Sequence, residues 1–273
     1  MARPSPHGGK MGNAFELRLQ AIRCIDEPHI SQVLALFGPE RLFAGKRDIA
    51  RDAMSHNRIM ILTEGWACRY RLLPDGRRQI AMLLLPGDVC NPDVLVWNQT
   101  NYVLMSLTSC SVMEADVPEL HDLMLSSSQI AQAWMNLIFA DNAMLAERNA
   151  CLGRRSAREH LAHFLCELFV RSRRVGLANV DNFPLRVTQE EIADTLGLTA
   201  VHVNRVLMVL RAQGMVSVHG QSVTILDWTR LRMEAGFESR YLNNGVATRS
   251  PDDQSKDLAR VASPSSCTQT CLS

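Results

Sequence analysis

Thirty-four residues near the C-terminal end, TQEEIADTLGLTAVHVNRVLMVLRAQGMVSVHGQ from Thr188 to Gln221, constrain this chain more than any other stretch. Thr188 followed three residues later by Glu191 is a capping box, in which hydroxyl and carboxylate each satisfy a backbone N–H orphaned at a helix start. Gly197 ends that helix. Ile192, Ala193 and Leu196 form its inward face, and Leu198 plugs the turn. Thr199 caps a second helix whose Val203, Val206, Leu207 and Leu210 make one apolar stripe. Ala200, Val201, His202, Asn204, Arg205 and Met208 are left near the outer face. Gly214 stops the second helix, and Val216, Val218, Val223 and Ile225 alternate around His219-Gly220-Gln221-Ser222 as a two-stranded wing.

Two short helices joined by a glycine turn make the helix-turn-helix pattern, in which the start of the second helix meets base edges in the major groove of DNA. Arg205 can grip guanine O6 and N7 bidentately, and Asn204 can do the same for adenine. Thr199 and His202 suit phosphate or a base edge, and Val201 suits a thymine methyl group. Thr188, Gln189 and His219 complete the candidate DNA-facing set. An ordinary helical hairpin with a solvated Asn-Arg pair is the bland alternative, and local charge does not decide, since residues 186–211 carry three Arg against three acids.

Resemblance does decide. The string LGLTAVHVNR (196–205), with TQEEIA before it and LRAQGMV after it, resembles the winged helix of the cyclic-AMP receptor protein / FNR (Crp/Fnr) superfamily of bacterial transcription regulators. Upstream, GWACRYRLLPDGRRQIAMLLLPGD (65–88) is similar to the β-roll of that superfamily's sensor domain, so the likeness covers roughly residues 15 to 235. It implies an α+β fold with a cyclic-nucleotide-binding-like jelly roll, a long dimerisation helix and a C-terminal winged helix. The family pattern has an acid four positions before the arginine that here is Arg205. This chain has Val201 there, which implies a different target sequence.

With 273 residues and 47% apolar content, the chain is long enough for two domains and a tail. No apolar run approaches a membrane span, residues 1–10 lack a signal-peptide core, and a cytoplasmic protein is expected. Eight cysteines with no Cys-x-x-Cys suggest reduced thiols. The expected division is 1–13 disordered, 14–125 β-roll, 126–152 dimerisation helix, 153–238 winged helix and 239–273 disordered. Phe15 to Phe37 read as one or two helices. Ile59–Leu62, Ala67–Leu73, Gln79–Leu85 and Tyr102–Thr108 read as strands around turns such as Pro74-Asp75-Gly76.

In cyclic-nucleotide-binding members of the superfamily the roll holds phosphate with an arginine and a hydroxyl after the last Gly-(Asp/Glu) turn. Here residues 89–100 (VCNPDVLVWNQT) contain no basic residue, and none occurs between Arg78 and Arg148. A buried phosphate needs a paired cation, so cyclic AMP is not the expected effector. Gly87, Asp88, Cys90 and Asn91 mark the candidate effector pocket, its ligand unknown. The oxygen-sensing branch uses an N-terminal cysteine cluster, whereas this chain offers only Cys24 near its start, with Cys68, Cys90 and Cys110 scattered. Small buried hydrophobes are the simpler reading, with a Cys90 thiol sensor of redox or nitrosative state as the alternative. His29, His56 and His121 are too dispersed for a cupin-like metal enzyme. His160 and His163, near Cys166, are half a zinc site that reads better as a polar helix face. No cofactor, metal or catalytic residue is expected.

Residues 126–152 read as one helix in which Ile138, Leu145 and Leu152 recur every seven residues, flanked by Trp134, Met135, Leu137 and Met144. Together with the resemblance, this implies a homodimer. Gly153-Arg154-Arg155 interrupts the pattern as a hinge, and Ser156 with Glu159 forms a second capping box. Seven arginines between 148 and 174 are candidate phosphate contacts or a solvated face. Asp227 to Phe237 reads as a closing helix with Trp228, Leu231 and Met233 facing in, and Cys267 and Cys271 in the tail carry no assignment. The expectation is a non-enzymatic regulator that binds duplex DNA as a homodimer, with RNA polymerase as a partner implied by the resemblance. The alternative is a small-molecule-binding protein whose winged helix is a protein-interaction module.

Overall fold

The computed structural model describes residues 13–51, 57–97 and 100–242. The expected N-terminal disorder to residue 12, His56, Cys267, Cys271 and the tail from residue 243 lie outside the described residues. The chain opens with helices α1 (Asn13–Gln20) and α2 (Glu27–Ala35), the second capped by Asp26, which accepts the His29 N–H at 3.1 Å. Seven strands follow: β1 (Arg41–Phe43), β2 (Arg47–Ala50), β3 (Arg58–Glu64), β4 (Ala67–Leu72), β5 (Arg78–Leu84), β6 (Val103–Ser106) and β7 (Cys110–Asp116). A one-turn helix α3 (Val94–Trp97) sits between β5 and β6. The strands form two antiparallel sheets, β1-β7-β3 and β2-β6-β4-β5, which face each other as the expected roll. Strand β7 was not foreseen. It is buried along nearly its whole length, so the alternation that marks a half-exposed strand is absent.

Helix α4 (Val117–Ser126) leads into α5 (Ser128–Arg154) through Ser127, whose extended backbone and side chain cap α5. The helical pattern is therefore broken at Ser127, where an unbroken start at Ser126 was expected. At its far end α5 runs through Gly153, and the break falls at Arg155. Helix α6 (Ala157–Arg174) begins at the Ser156/Glu159 capping box, as read from sequence. Strand β8 (Asn182–Pro184), helices α7 (Gln189–Leu196) and α8 (Ala200–Ala212) and strands β9 (Val216–His219) and β10 (Ser222–Ile225) make the winged helix, with sheet order β8-β10-β9. Helix α9 (Trp228–Ala235) closes it. Leu231 and Ala235 are buried there, but Met233 points to solvent at 77% exposure, contrary to the inward face expected of it. The chain also stays packed beyond residue 238, for Ser239–Leu242 form a 3-10 turn and Leu242 is buried.

Two apolar clusters hold these parts. One joins α1, α2, β3, β7 and the first half of α5 through Phe15, Ile59, Trp134 and Leu137. The other runs without a gap from the roll (Leu83, Leu104) into α6 and the winged helix (Phe169, Leu196, Val203). The roll and the DNA-binding unit thus share a core. Trp134, Leu137 and Met144, expected to flank a dimer seam, are buried within the chain, because α5 spends that face on its own roll and on α6. Met135, Phe139, Leu145 and Leu152 remain exposed along the opposite side. Among the described residues, no single helix is long and apolar enough to cross a membrane.

Candidate nucleic-acid interface

Helix α7 starts on reciprocal hydrogen bonds. The Thr188 N–H donates to Glu191 Oε2 at 2.8 Å and the Glu191 N–H to Thr188 Oγ1 at 3.2 Å. Gly197 turns the chain in the left-handed region at φ 65°, where a side chain would be strained. Thr199 Oγ1 accepts the His202 N–H at 3.2 Å and starts α8. Helices α7 and α8 meet at a bend of 99°, inside the range of about 90–120° for helix-turn-helix units. Val203, Val206, Leu207 and Leu210 are buried, which leaves Val201, His202, Asn204, Arg205 and Met208 on one exposed face of α8. Asn204 Nδ2 donates to Gln189 Oε1 at 3.1 Å, so the two amides adjoin across the helix pair. Arg205 has no ion pair among the described residues. Thr188 and Thr199 give lone pairs to their caps and keep their O–H groups to donate. His219 sits at the tip of the wing, held to Ser217 Oγ at 2.8 Å beside Gly220. The structure thus gathers the recognition-helix candidates on one face.

This unit is fixed to the roll. Lys46 pairs with the buried carboxylate of Glu191, Arg78 Nη2 lies 2.7 Å from Asp194 Oδ2, and Gln79 Nε2 donates to the Thr195 carbonyl at 3.3 Å. Leu152, at the end of α5, lies so close to the turn that a Cβ built on Gly197 would meet its Cδ2 at 3.2 Å.

The expected effector residues divide. Asp88 lines a cavity of about 250 Å³. Gly87 instead lets α1 approach, since a Cβ there would fall 2.7 Å from the Ala14 carbonyl oxygen. Asn91 is fully buried and spends its amide on the Met60 N–H at 2.8 Å and the Arg58 carbonyl at 2.9 Å. Cys90 is fully buried, and burial pushes its thiol far above the ordinary range, which makes it a poor nucleophile. The segment without basic residues is nevertheless met by a cation. Arg69 of β4 donates to the carbonyls of Cys90 at 2.9 Å and Val89 at 2.5 Å, and pairs with Asp141 of α5 at 2.8 Å. No local motif marks this cation, because β4 delivers Arg69 from about twenty residues upstream.

The arginine cluster of 148–174 is mostly committed inside the protein, not free for phosphates. Arg148 and Arg171 both reach Glu167, at 3.3 and 3.4 Å, Arg158 pairs with Glu234 and Arg155 with Glu147. Arg154, Arg173 and Arg174 are exposed, and Arg174 donates to the Leu242 carbonyl. His160 and His163 do not form a polar face either: both are buried, His163 against Phe237 and Tyr241. His163 instead joins Glu147 and Cys151 in a cluster of possible metal ligands. The Arg155 guanidinium already holds two of the three, at 2.6 Å from Cys151 Sγ and 2.8 Å from Glu147. His29 and His121 are engaged by Asp26 and the Leu95 carbonyl.

A winged helix-turn-helix set on an antiparallel roll defines a DNA-binding class, and comparison specifies it. Residues 159–234 match the Crp-like helix-turn-helix domain. The chain is 29% identical to the nitrogen fixation regulation protein FixK of Azorhizobium caulinodans over 85% of this chain and 91% of that protein. It is 30% identical to the transcriptional activator protein FnrL of Cereibacter sphaeroides over 66% and 74%. The structure of FixK2 from Bradyrhizobium japonicum superposes with a TM-score of 0.65 at 25% identity, covering 73% of this chain and 98% of that one. The chain belongs to the Crp/Fnr superfamily of transcription regulators.

Burial, helped by nearby Arg148 and Arg155, lowers both His160 and His163 from 6.5 to about 4. Their folded values lie below the unfolded one, so the unfolded chain binds more protons between the two. This stability is complete above pH 6.5 and is lost as the pH falls towards 4. Thermal melting should show that decline, and His163→Gln should flatten it.

Proposed function

We propose that the chain is a sequence-specific DNA-binding regulator that acts as a homodimer on a near-palindromic operator. The observation that carries this is the exposed face of α8, where Val201, His202, Asn204 and Arg205 stand together and Asn204 adjoins Gln189. Arg205 and Asn204 read bases, Val201 meets a thymine methyl group, and Thr188, Thr199 and His219 contact phosphates or base edges. The Met135, Phe139, Leu145 and Leu152 side of α5 receives the same helix of a second copy. A two-fold axis then sets two α8 helices about one DNA turn, roughly 34 Å, apart. RNA polymerase is the further partner that family membership suggests, and DNA binding places the protein in the cytoplasm. No cofactor is required by this reading. Cyclic nucleotide is not its effector, since the Arg69 cation beside the roll's Val89–Cys90 segment is already neutralised by Asp141. The buried Cys90 likewise disfavours a thiol sensor at that position.

Arg205→Ala should reduce operator affinity by about 1–3 kcal/mol per half-site, the worth of one bidentate contact, while dimer and melting temperature stay unchanged. Equal affinity in a gel-shift titration would refute the assignment. Phe139→Glu should shift the protein to monomer in sedimentation and weaken operator binding with it, whereas a monomeric wild-type protein would refute the α5 interface.

A further inference from the structure

We propose that Glu147, Cys151 and His163 form a binding site for a thiophilic divalent cation, zinc above all, at the place where α5 gives way to α6. Glu147 and Cys151 stand four residues apart on α5 and so share a face, and His163 meets them from α6. One ligand atom of each, a carboxylate oxygen, Sγ and a ring nitrogen, lies within 4.8 Å of the other two. Tetrahedral zinc, with bonds of about 2.0–2.3 Å, sets its ligand atoms roughly 3.3–3.8 Å apart. His163 Nε2 and Glu147 Oε1 are already 3.2 Å apart, so a small closing movement completes the set.

A second observation points independently to a ligand. His163 is only 3% exposed, yet its Nε2 makes no hydrogen bond, for its approach to Glu147 is badly angled. A buried polar nitrogen left without a bond is costly, and a metal would satisfy it. The ring packs on Phe237 at 5.1 Å and on Tyr241 at 5.9 Å, which aims that nitrogen before any ligand arrives. Cys151 is equally buried, while the Glu147 side chain is about a quarter exposed and gives a path in from solvent.

The surrounding charges set a condition. Glu167 is shared by Arg148 and Arg171, so the neighbourhood supplies no spare negative charge. The dication must be matched by its own ligands, and the Glu147 carboxylate with a Cys151 thiolate does so. On binding, the Cys151 thiol releases its proton to solvent, and sulfur, oxygen and Nε2 each give a lone pair to the metal. Water takes the fourth position. Thiolate with imidazole selects zinc or cobalt over magnesium or calcium.

Arg155 is the competitor. Its guanidinium holds Cys151 Sγ and Glu147 and also reaches the Gly236 carbonyl at 3.4 Å. The metal displaces it outward and replaces a clamp on α5 with a direct bridge from α5 to α6, across the break through which the long helix meets the DNA-binding domain.

The test is titration of the full-length protein carrying Cys267→Ser and Cys271→Ser, which removes the tail thiols, with cobalt(II), zinc and magnesium. One cobalt per chain should bind with a thiolate-to-cobalt charge-transfer band in the near ultraviolet. Zinc should displace it and magnesium should not. Cys151→Ala should abolish the band, and His163→Gln should weaken cobalt at least about tenfold. Arg155→Gln removes the competing charge at a partly exposed position and should tighten cobalt at least about tenfold. No band with Cys151 intact, a band that survives Cys151→Ala, displacement by magnesium, or no tighter binding in Arg155→Gln would overturn the proposal.

Discussion

The carboxylate of Asp88 is the point on which the architecture turns. It accepts the Leu85 N–H at 2.7 Å and so closes the turn that follows β5, and it pairs with Arg18 from α1 and Arg171 from α6. Burial opposes its charge, but Arg18 and Arg171 outweigh burial and hold the carboxyl below the usual range. Glu167 is treated alike by Arg148 and Arg171, and Tyr241 donates to it at 3.0 Å. Removing one partner from a buried pair costs about 3–5 kcal/mol because the other charge is stranded. Roll, N-terminal helix and DNA-binding domain are therefore tied at one small volume.

From that anchor the position of the helix-turn-helix follows. Helix α6 packs its apolar face on α8 and α9, while α7 lies on β5 under the Lys46–Glu191 and Arg78–Asp194 pairs. Glu191 caps α7 and also receives Lys46, so the first helix of the motif cannot move from the roll without disturbing its own start. The exposed side of α5 ends at Leu152, against the Gly197 turn. A partner helix on α5 would thus lie close to the DNA-reading unit, and movement at Arg155 would be felt at both.

The local elements were legible in the sequence because their signals are local. Both capping boxes, the Gly197 turn, the α8 stripe and the wing depend on residues three or four apart or strictly alternating. What escaped was long-range. Strand β7 is buried on both faces and shows no period. Arg69, Arg18 and Arg171 meet the shared carboxylates of Asp88 and Asp141 across sequence separations that no motif encodes, so the cavity and the cation beside the Val89–Cys90 segment were invisible. His160 and His163 looked polar by type, whereas Phe237 and Tyr241, more than seventy residues on, cover His163. The seven-residue recurrence in α5 serves two environments: Ile138 packs half-buried against the roll-side cluster, while Leu145 and Leu152 are exposed. The flanking Trp134, Leu137 and Met144 turn inward, and the Met135, Phe139, Leu145 and Leu152 side is left open. Met233 was misplaced because α9 buries a narrower face than its composition suggested.

The most direct measurement is selection of bound duplexes from a random library by the purified protein at about 150 mM salt, where phosphate contacts alone do not suffice. The account predicts an enriched near-palindrome whose half-site centres lie one helical turn apart. A folded protein that enriches no sequence, or enriches only a single unpaired half-site, would contradict it.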